Sequence, residues 1–183
     1  MHSHGLTGVT TRQISRAVGC SEGALYVHFK GRLELFLAML EESLPDMLGP
    51  LDKLRKSVGH GSPHRNLATA LEGIFNFHRR VLPVTCGLFA EPQLLDAYRQ
   101  SLARQGKGPH LSLAALAEYI VAEQKLGRIA SYADPQMAAY LLMSSSFFRA
   151  FLELFLGGFS QPWDKLVKHL IETVVPQRKA NGS

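Results

Sequence analysis

Reactive side chains are sparse in this 183-residue chain, and their spacing decides how many of them could act together. Gly19-Cys20-Ser21-Glu22-Gly23 has the G-x-S-x-G spacing of a serine nucleophile held on a sharp strand-to-helix turn. That chemistry needs a strand before the serine and a parallel sheet beneath it. The preceding residues read instead as a capped helix, so Ser21 is assigned to helix capping. His2 with His4, and His60 with His64, are close enough to suggest metal ligation. Each pair lies in a Gly-containing segment with no third ligand in view, so solvated histidines are expected, and neither a metal nor a cofactor. Cys20 and Cys86 show no C-x-x-C spacing and fit a reducing cytoplasm. His78 falls on an apolar helical stripe, where a hydrogen-bonded core histidine and a ligand contact are both open readings. Arg149 and Glu153, four residues apart, can pair across one helical turn. No set of acid, base and nucleophile emerges, and no enzymatic activity is expected.

The elements that carry these residues are helical. Hydrophobic residues make up 46% of the chain and charged ones 19%, enough apolar material for a substantial core. Strand alternation is nowhere sustained, whereas spacings of three and four recur along most of the sequence, and the fold class is all-α. Leu33, Phe36, Leu37, Leu40, Leu44 and Met47 form one stripe, with Pro45 near its end. Leu67, Leu71, Ile74, Phe75, His78 and Leu82 form another, which Pro83 is expected to stop. Leu94, Leu95, Tyr98 and Leu102 make a shorter stripe. Leu113, Leu116, Ala117, Ile120, Val121 and Gln124 continue the pattern until Gly127. Asp134 and Pro135 form an N-cap and first-turn pair for a helix to Leu156, closed by Gly157 and Gly158. Ser160 is expected to cap a last helix bearing Trp163, Leu166, Val167, Leu170, Ile171 and Val174. Gly49 to Arg65, rich in Gly, Pro, Lys and His, is the most linker-like stretch. The chain is divided accordingly into 1–48, an N-terminal helix-turn-helix domain with its connecting helix, and 49–183, a larger helical domain.

At the N-terminus, Thr10 and Gln13 have capping-box spacing, with Val9 and Ile14 as the hydrophobic staple. The helix they start turns Ile14, Ala17 and Val18 inward, shows Arg12 and Arg16 outward and ends at Gly19. Ser21 caps a second short helix with Leu25 and Phe29 inward. So short a turn forces a steep crossing and leaves the outer face of the second helix protruding, the geometry that enters a major groove. Arg12, Arg16, Lys30 and Arg32 would flank it as phosphate contacts. The modest net charge of +5 requires any polyanion site to be such a local patch.

The run Thr10-Thr11-Arg12-Gln13-Ile14-Ser15-Arg16-Ala17-Val18-Gly19-Cys20-Ser21-Glu22-Gly23-Ala24-Leu25-Tyr26-Val27-His28-Phe29, followed by Arg32 and Leu35-Phe36, resembles the DNA-binding signature of TetR-family transcriptional regulators. The resemblance covers about a fifth of the chain at residue level. It implies a cytoplasmic homodimer on pseudo-palindromic, double-stranded operator DNA, acting as a repressor and released by a small, mainly apolar effector. Carried over by position, Thr11, Arg12, Tyr26, His28 and Arg32 resemble DNA-facing residues. Gly23 matches the glycine that lets the recognition helix approach closely, and Ala24 stands where threonine is frequent and could meet a thymine methyl group. Glu22 departs from the usual basic or polar residue and could read a cytosine amino group. Family members carry a further helix before the segment matching Gly5 to Thr10, where only Met1 to Gly5 stand here. A late-assigned start is the expectation, since the rest of the motif is intact. The alternative is a helical ligand-binding or interaction dimer that has lost DNA binding.

The same resemblance suggests an effector pocket among the C-terminal helices, with Phe75, His78, Leu116, Ile120, Phe147 and Phe151 as walls and Tyr140 and Arg149 as polar contacts. These positions are equally consistent with plain core. Met137 to Leu156 is long enough to raise a membrane question, but its three serines, Arg149 and Glu153 favour a buried helix and no membrane partner. It is apolar nearly all round, so one face must meet something beyond its own domain. Ser145, Phe148 and Leu152 are therefore read as a subunit interface, and together with Trp163, Leu166 and Leu170 they resemble the family's four-helix dimer interface.

Overall fold

The computed structural model describes residues 32–176. Six helices follow one another among them: α1 (Arg32–Lys56), α2 (Pro63–Phe89), α3 (Pro92–Gln105), α4 (Pro109–Lys125), α5 (Pro135–Leu156) and α6 (Trp163–Val174). The all-α class read from the sequence is what the structure shows.

Two helices outrun their sequence-predicted ends. α1 continues through Pro45 and Pro50 to Lys56, so most of the presumed linker is helix, and only the turn 57–62 interrupts the chain there. Each interior proline removes one i→i−4 hydrogen bond, but Met47, Leu51 and Leu54 keep a buried stripe going beyond it. α2 likewise passes Pro83 and reaches Phe89, with Leu88 buried past the proline. Local stop signals lose here to tertiary burial.

The described residues group into two compact units. One takes the chain up to Leu44 together with Arg80–Lys107, and buries Leu35, Ser43, Val81, Leu82, Leu88 and Ser101. The other takes Pro45–Arg79 with the chain from Gly108 onward. The division at 48/49 read from the sequence cuts the chain once, whereas these units exchange it three times.

In the second unit, Leu67, Leu71 and Ile74 of α2, Leu116 and Ile120 of α4, Leu142 of α5 and Ile171 of α6 are fully buried or nearly so. α1 and α2 approach so closely that a Cβ at Gly73 would overlap the Pro50 ring. Glu123 lies wholly buried near the end of α4 and fastens the 57–62 turn. Its Oε1 accepts from the Gly59 amide at 3.1 Å, and its Oε2 lies 3.0 Å from Arg128 Nε as an ion pair. Arg128 also donates to the carbonyls of His60 and Gly61. The chain after α6 is tied down in turn, as Ala130 N donates to Pro176 O at 2.9 Å.

α5 starts as its sequence says: Asp134 Oδ1 accepts from the amides of Gln136 at 2.9 Å and Met137 at 3.0 Å, with Pro135 in the first turn. Gly157, at φ 71°, ends it in the left-handed conformation. α6 differs: Pro162, not Ser160, precedes its first turn, and no side chain caps it. Pro162 is extended at φ −60° and ψ 129°, and proline's fixed φ sets that entry without a cap hydrogen bond.

Candidate functional site

A histidine and a serine meet within the apolar interior of the second unit. His78 of α2 and Ser146 of α5 are both buried and share a 2.9 Å hydrogen bond between Nδ1 and Oγ. Phe147 meets the imidazole edge-on at 5.6 Å. Burial pushes the imidazole down to about 4 from its ordinary 6.5, so it is neutral at physiological pH. The core-histidine reading therefore describes its observed state. Another polar residue of the proposed pocket wall is bound up in an ion pair.

Arg149 is such a bound group. Its guanidinium donates to Glu153 Oε1 at 2.8 and 3.1 Å and to the carbonyls of Phe159 and Gln161, and it lies over the Phe159 ring. Glu153 Oε2 takes a further ion pair from Arg79 at 3.0 Å. Arg149 thus clamps the turn between α5 and α6 instead of offering a free donor to a pocket. The other predicted walls separate. Phe75, Leu116 and Ile120 are core residues, the first stacked on Trp163 at 4.5 Å, whereas Tyr140, Phe147 and Phe151 are exposed.

A groove of about 620 Å³ opens instead on the opposite face of α4, against the start of α5. Leu113, Ala114, Ala117, Val121 and Ala122 line it, with Glu118, Lys125, Gln136 and Tyr140 as its polar edge. Of the predicted wall residues only Tyr140 reaches it. The signal for it was in the sequence, because α4 is apolar on both sides, and a helix with two apolar faces has two surfaces to cover.

α5 is less buried than its composition suggests. Ala138, Ala139, Leu142, Ser146, Arg149 and Ala150 face inward, while Met137, Tyr140, Leu141, Phe147, Phe148, Phe151, Leu154, Phe155 and Leu156 are exposed. By length and composition it is the one helix among the described residues able to cross a membrane. Phe148 lies on this open face, Ser145 and Leu152 are half-buried along it, and Leu166 and Leu170 of α6 are half-buried. Trp163 does not join them: its indole is buried against Phe75 in the protomer's own core, which removes it from the expected interface.

Thr11, Arg12, Glu22, Gly23, Ala24, Tyr26, His28 and Lys30 lie outside the described residues, and Arg32 opens α1. For this segment the comparisons with known proteins decide. Residues 1–39 match the profile of the bacterial regulatory proteins of the tetR family. Over these residues the chain is similar to the TetR family. The HTH-type transcriptional repressor AcnR of Corynebacterium diphtheriae is 36% identical over 75 residues, spanning 38% of this chain and 40% of that relative's length. The nucleoid occlusion factor SlmA of Shewanella amazonensis is 28% identical over 143 residues, 68% of this chain and 72% of that protein. Among solved structures, a regulator of Clostridium perfringens provisionally described as acting in fatty acid metabolism superposes with a TM-score of 0.62 at 15% identity, covering 94% of this chain and 90% of that one. A TetR-family regulator from a Rhodococcus species gives 0.59 at 23%, with the same coverage. These likenesses show the fold.

Proposed function

We propose that the protein is a cytoplasmic, non-enzymatic transcriptional repressor that binds a pseudo-palindromic operator as a homodimer and is released by a small, mainly apolar effector. The observation that carries this reading is the family match over residues 1–39, which coincides with the two-helix motif and its flanking arginines. The likeness to AcnR, a transcriptional repressor by name, supports the sign of control. In this reading Tyr26 and His28 contact the groove or its backbone, Thr11, Arg12, Lys30 and Arg32 hold phosphates, and Glu22, Gly23 and Ala24 lie along the bases. The effector contacts the second unit around His78, Phe75 and Phe147, where a buried polar pair stands in an apolar surrounding. Its leverage is its difference in affinity for two dimer states.

The test is a fluorescence anisotropy titration onto DNA from the region upstream of the chain's own coding sequence, at several salt concentrations. Sequence-selective binding that weakens steeply with salt is expected, since neutralised phosphates release counterions. Binding equal to that on scrambled DNA would overturn the reading in favour of a helical dimer without operator binding. A second reading, action on the nucleoid, is favoured by the longer match to SlmA. Selective binding at many sites with unchanged transcription of neighbouring genes would move the assignment there.

A further inference from the structure

The groove between α4 and the start of α5 has no part in the function proposed above, and its rim is charged. Lys125 stands in the last turn of α4 and Gln136 in the first turn of α5, so both reach the groove at the end where the chain turns. Tyr140 follows one turn further along α5, and Glu118 lies two turns back along α4. All four are exposed. Among the described residues neither Lys125 nor Glu118 joins an ion pair, whereas Arg79, Arg128 and Arg149 each hold a carboxylate of the same unit. The floor between them is apolar, with Leu113, Ala117 and Val121. From Leu113 to Lys125 it follows α4 for about 18 Å. Its volume of about 620 Å³ lies in the range of small-molecule sites.

The geometry points to a binding site for an amphipathic monocarboxylate, its carboxylate at Lys125 and its unbranched apolar tail laid along α4 towards Leu113. The groove lies on the face of α4 opposite to Leu116 and Ile120, so this site is separate from the effector position around His78 and stands without it. Charge selects the head group. Lys125 brings an ammonium, and Gln136 and Tyr140 bring neutral N–H and O–H donors to the same end, a set that suits the two oxygens of a carboxylate. A cationic head would meet Lys125 there. Glu118 sets the direction: seven residues from Lys125, it stands about 10 Å back along the helix axis and repels an anionic head placed towards Leu113. The floor selects the tail. A chain of methylene groups can follow α4 along the whole groove, and each one that leaves water for the floor tightens binding by up to about fourfold.

The test is equilibrium dialysis of the full chain against radiolabelled decanoate, with unlabelled decan-1-ol and decyltrimethylammonium as competitors, all below their micellar concentrations. One decanoate per chain is expected. Decanol should compete about three- to fivefold more weakly, the value of one exposed ion pair, and the cation more weakly still. Lys125→Gln should bring decanoate down to the level of decanol, whereas Glu118→Gln should not weaken it. Ala114 also lines the groove, at the tail end, and is exposed. Ala114→Phe should therefore weaken dodecanoate far more than octanoate, with the melting curve unchanged. No retention of decanoate at millimolar concentration would overturn the site, as would a cation that competes as well as decanoate itself. Decanoate held equally by the Lys125→Gln and Ala114→Phe chains would place it elsewhere in the molecule and overturn the site as well.

Discussion

At single positions, His78 and Arg149 are each committed to partners, and the burial of His78 predicts how it responds to pH. His78 is held neutral by burial, with its folded pKa at about 4 against 6.5. A histidine whose folded pKa is depressed makes its full contribution above pH 6.5, and that contribution is lost as pH falls from 6.5 towards 4. The loss is about 1.4 kcal/mol for each pH unit in that window. Urea unfolding at about pH 5 should therefore show about 2 kcal/mol less stability than at pH 6.5. His78→Asn keeps a hydrogen-bonding partner for Ser146 without titrating, and should flatten that slope; equal slopes would remove His78 as its source. Arg149 shows how far the sequence could be read at this level. Its pairing with Glu153 was visible in their spacing, but its bonds to the carbonyls of Phe159 and Gln161 depend on how the chain turns after Gly157. Trp163 misled for a similar reason. A one-sided stripe shows which residues are covered and not by whom, and Phe75 of the same protomer takes the indole.

Among the helices, the crossing of α1 and α2 depends on a missing side chain. Pro50 of α1 occupies the space where Gly73 of α2 would carry a Cβ. Gly73→Ala should cost about 1–3 kcal/mol by overpacking, although alanine favours helix intrinsically. Adding Pro50→Ala removes the ring and should restore most of the loss, giving a coupling of at least about 1 kcal/mol in a double-mutant cycle of urea midpoints. Additive effects would mean that the two helices do not meet there. The helices themselves were legible where the signal is local: Asp134 with Pro135, Gly157 and Gly127 lie where caps and breaks belong. Pro83 and the linker-like composition from Gly49 onward misled because burial of Leu88, Leu51 and Leu54 outweighs the lost hydrogen bonds. The site was legible to the same extent. The N-terminal motif is a local pattern of caps and basic residues and carries the resemblance to the family, whereas the groove lies on the side of α4 opposite to Leu116 and Ile120, and a periodic stripe alone does not say which of two apolar faces stays open.

For the assembled protein, the proposed repressor function requires two recognition helices about one DNA turn apart, which one copy of the chain cannot supply. Phe148 gives the cleanest handle on that requirement, because it is 58% exposed in the protomer and lies on the open face of α5. Phe148→Glu leaves the charge in water on the free chain, where a surface substitution changes stability by no more than about 0.5 kcal/mol. In a closed interface the same carboxylate would be buried without a cationic partner, a placement that costs several kcal/mol. The variant should therefore sediment as a monomer at concentrations where the wild-type chain is a dimer, with an unchanged melting curve when both are compared as monomers. Operator affinity should fall by a factor of about 10²–10⁴, because the second half-site contact is no longer intramolecular. The weaker, salt-dependent attraction to any DNA should persist, since it comes from the basic residues of the N-terminal motif and not from the pairing of subunits. A Phe148→Glu chain that stays dimeric would place the subunit contact on another face. One that becomes monomeric yet keeps full operator affinity would separate DNA recognition from dimerisation, and with it the coupling by which an effector in the second unit could release the DNA.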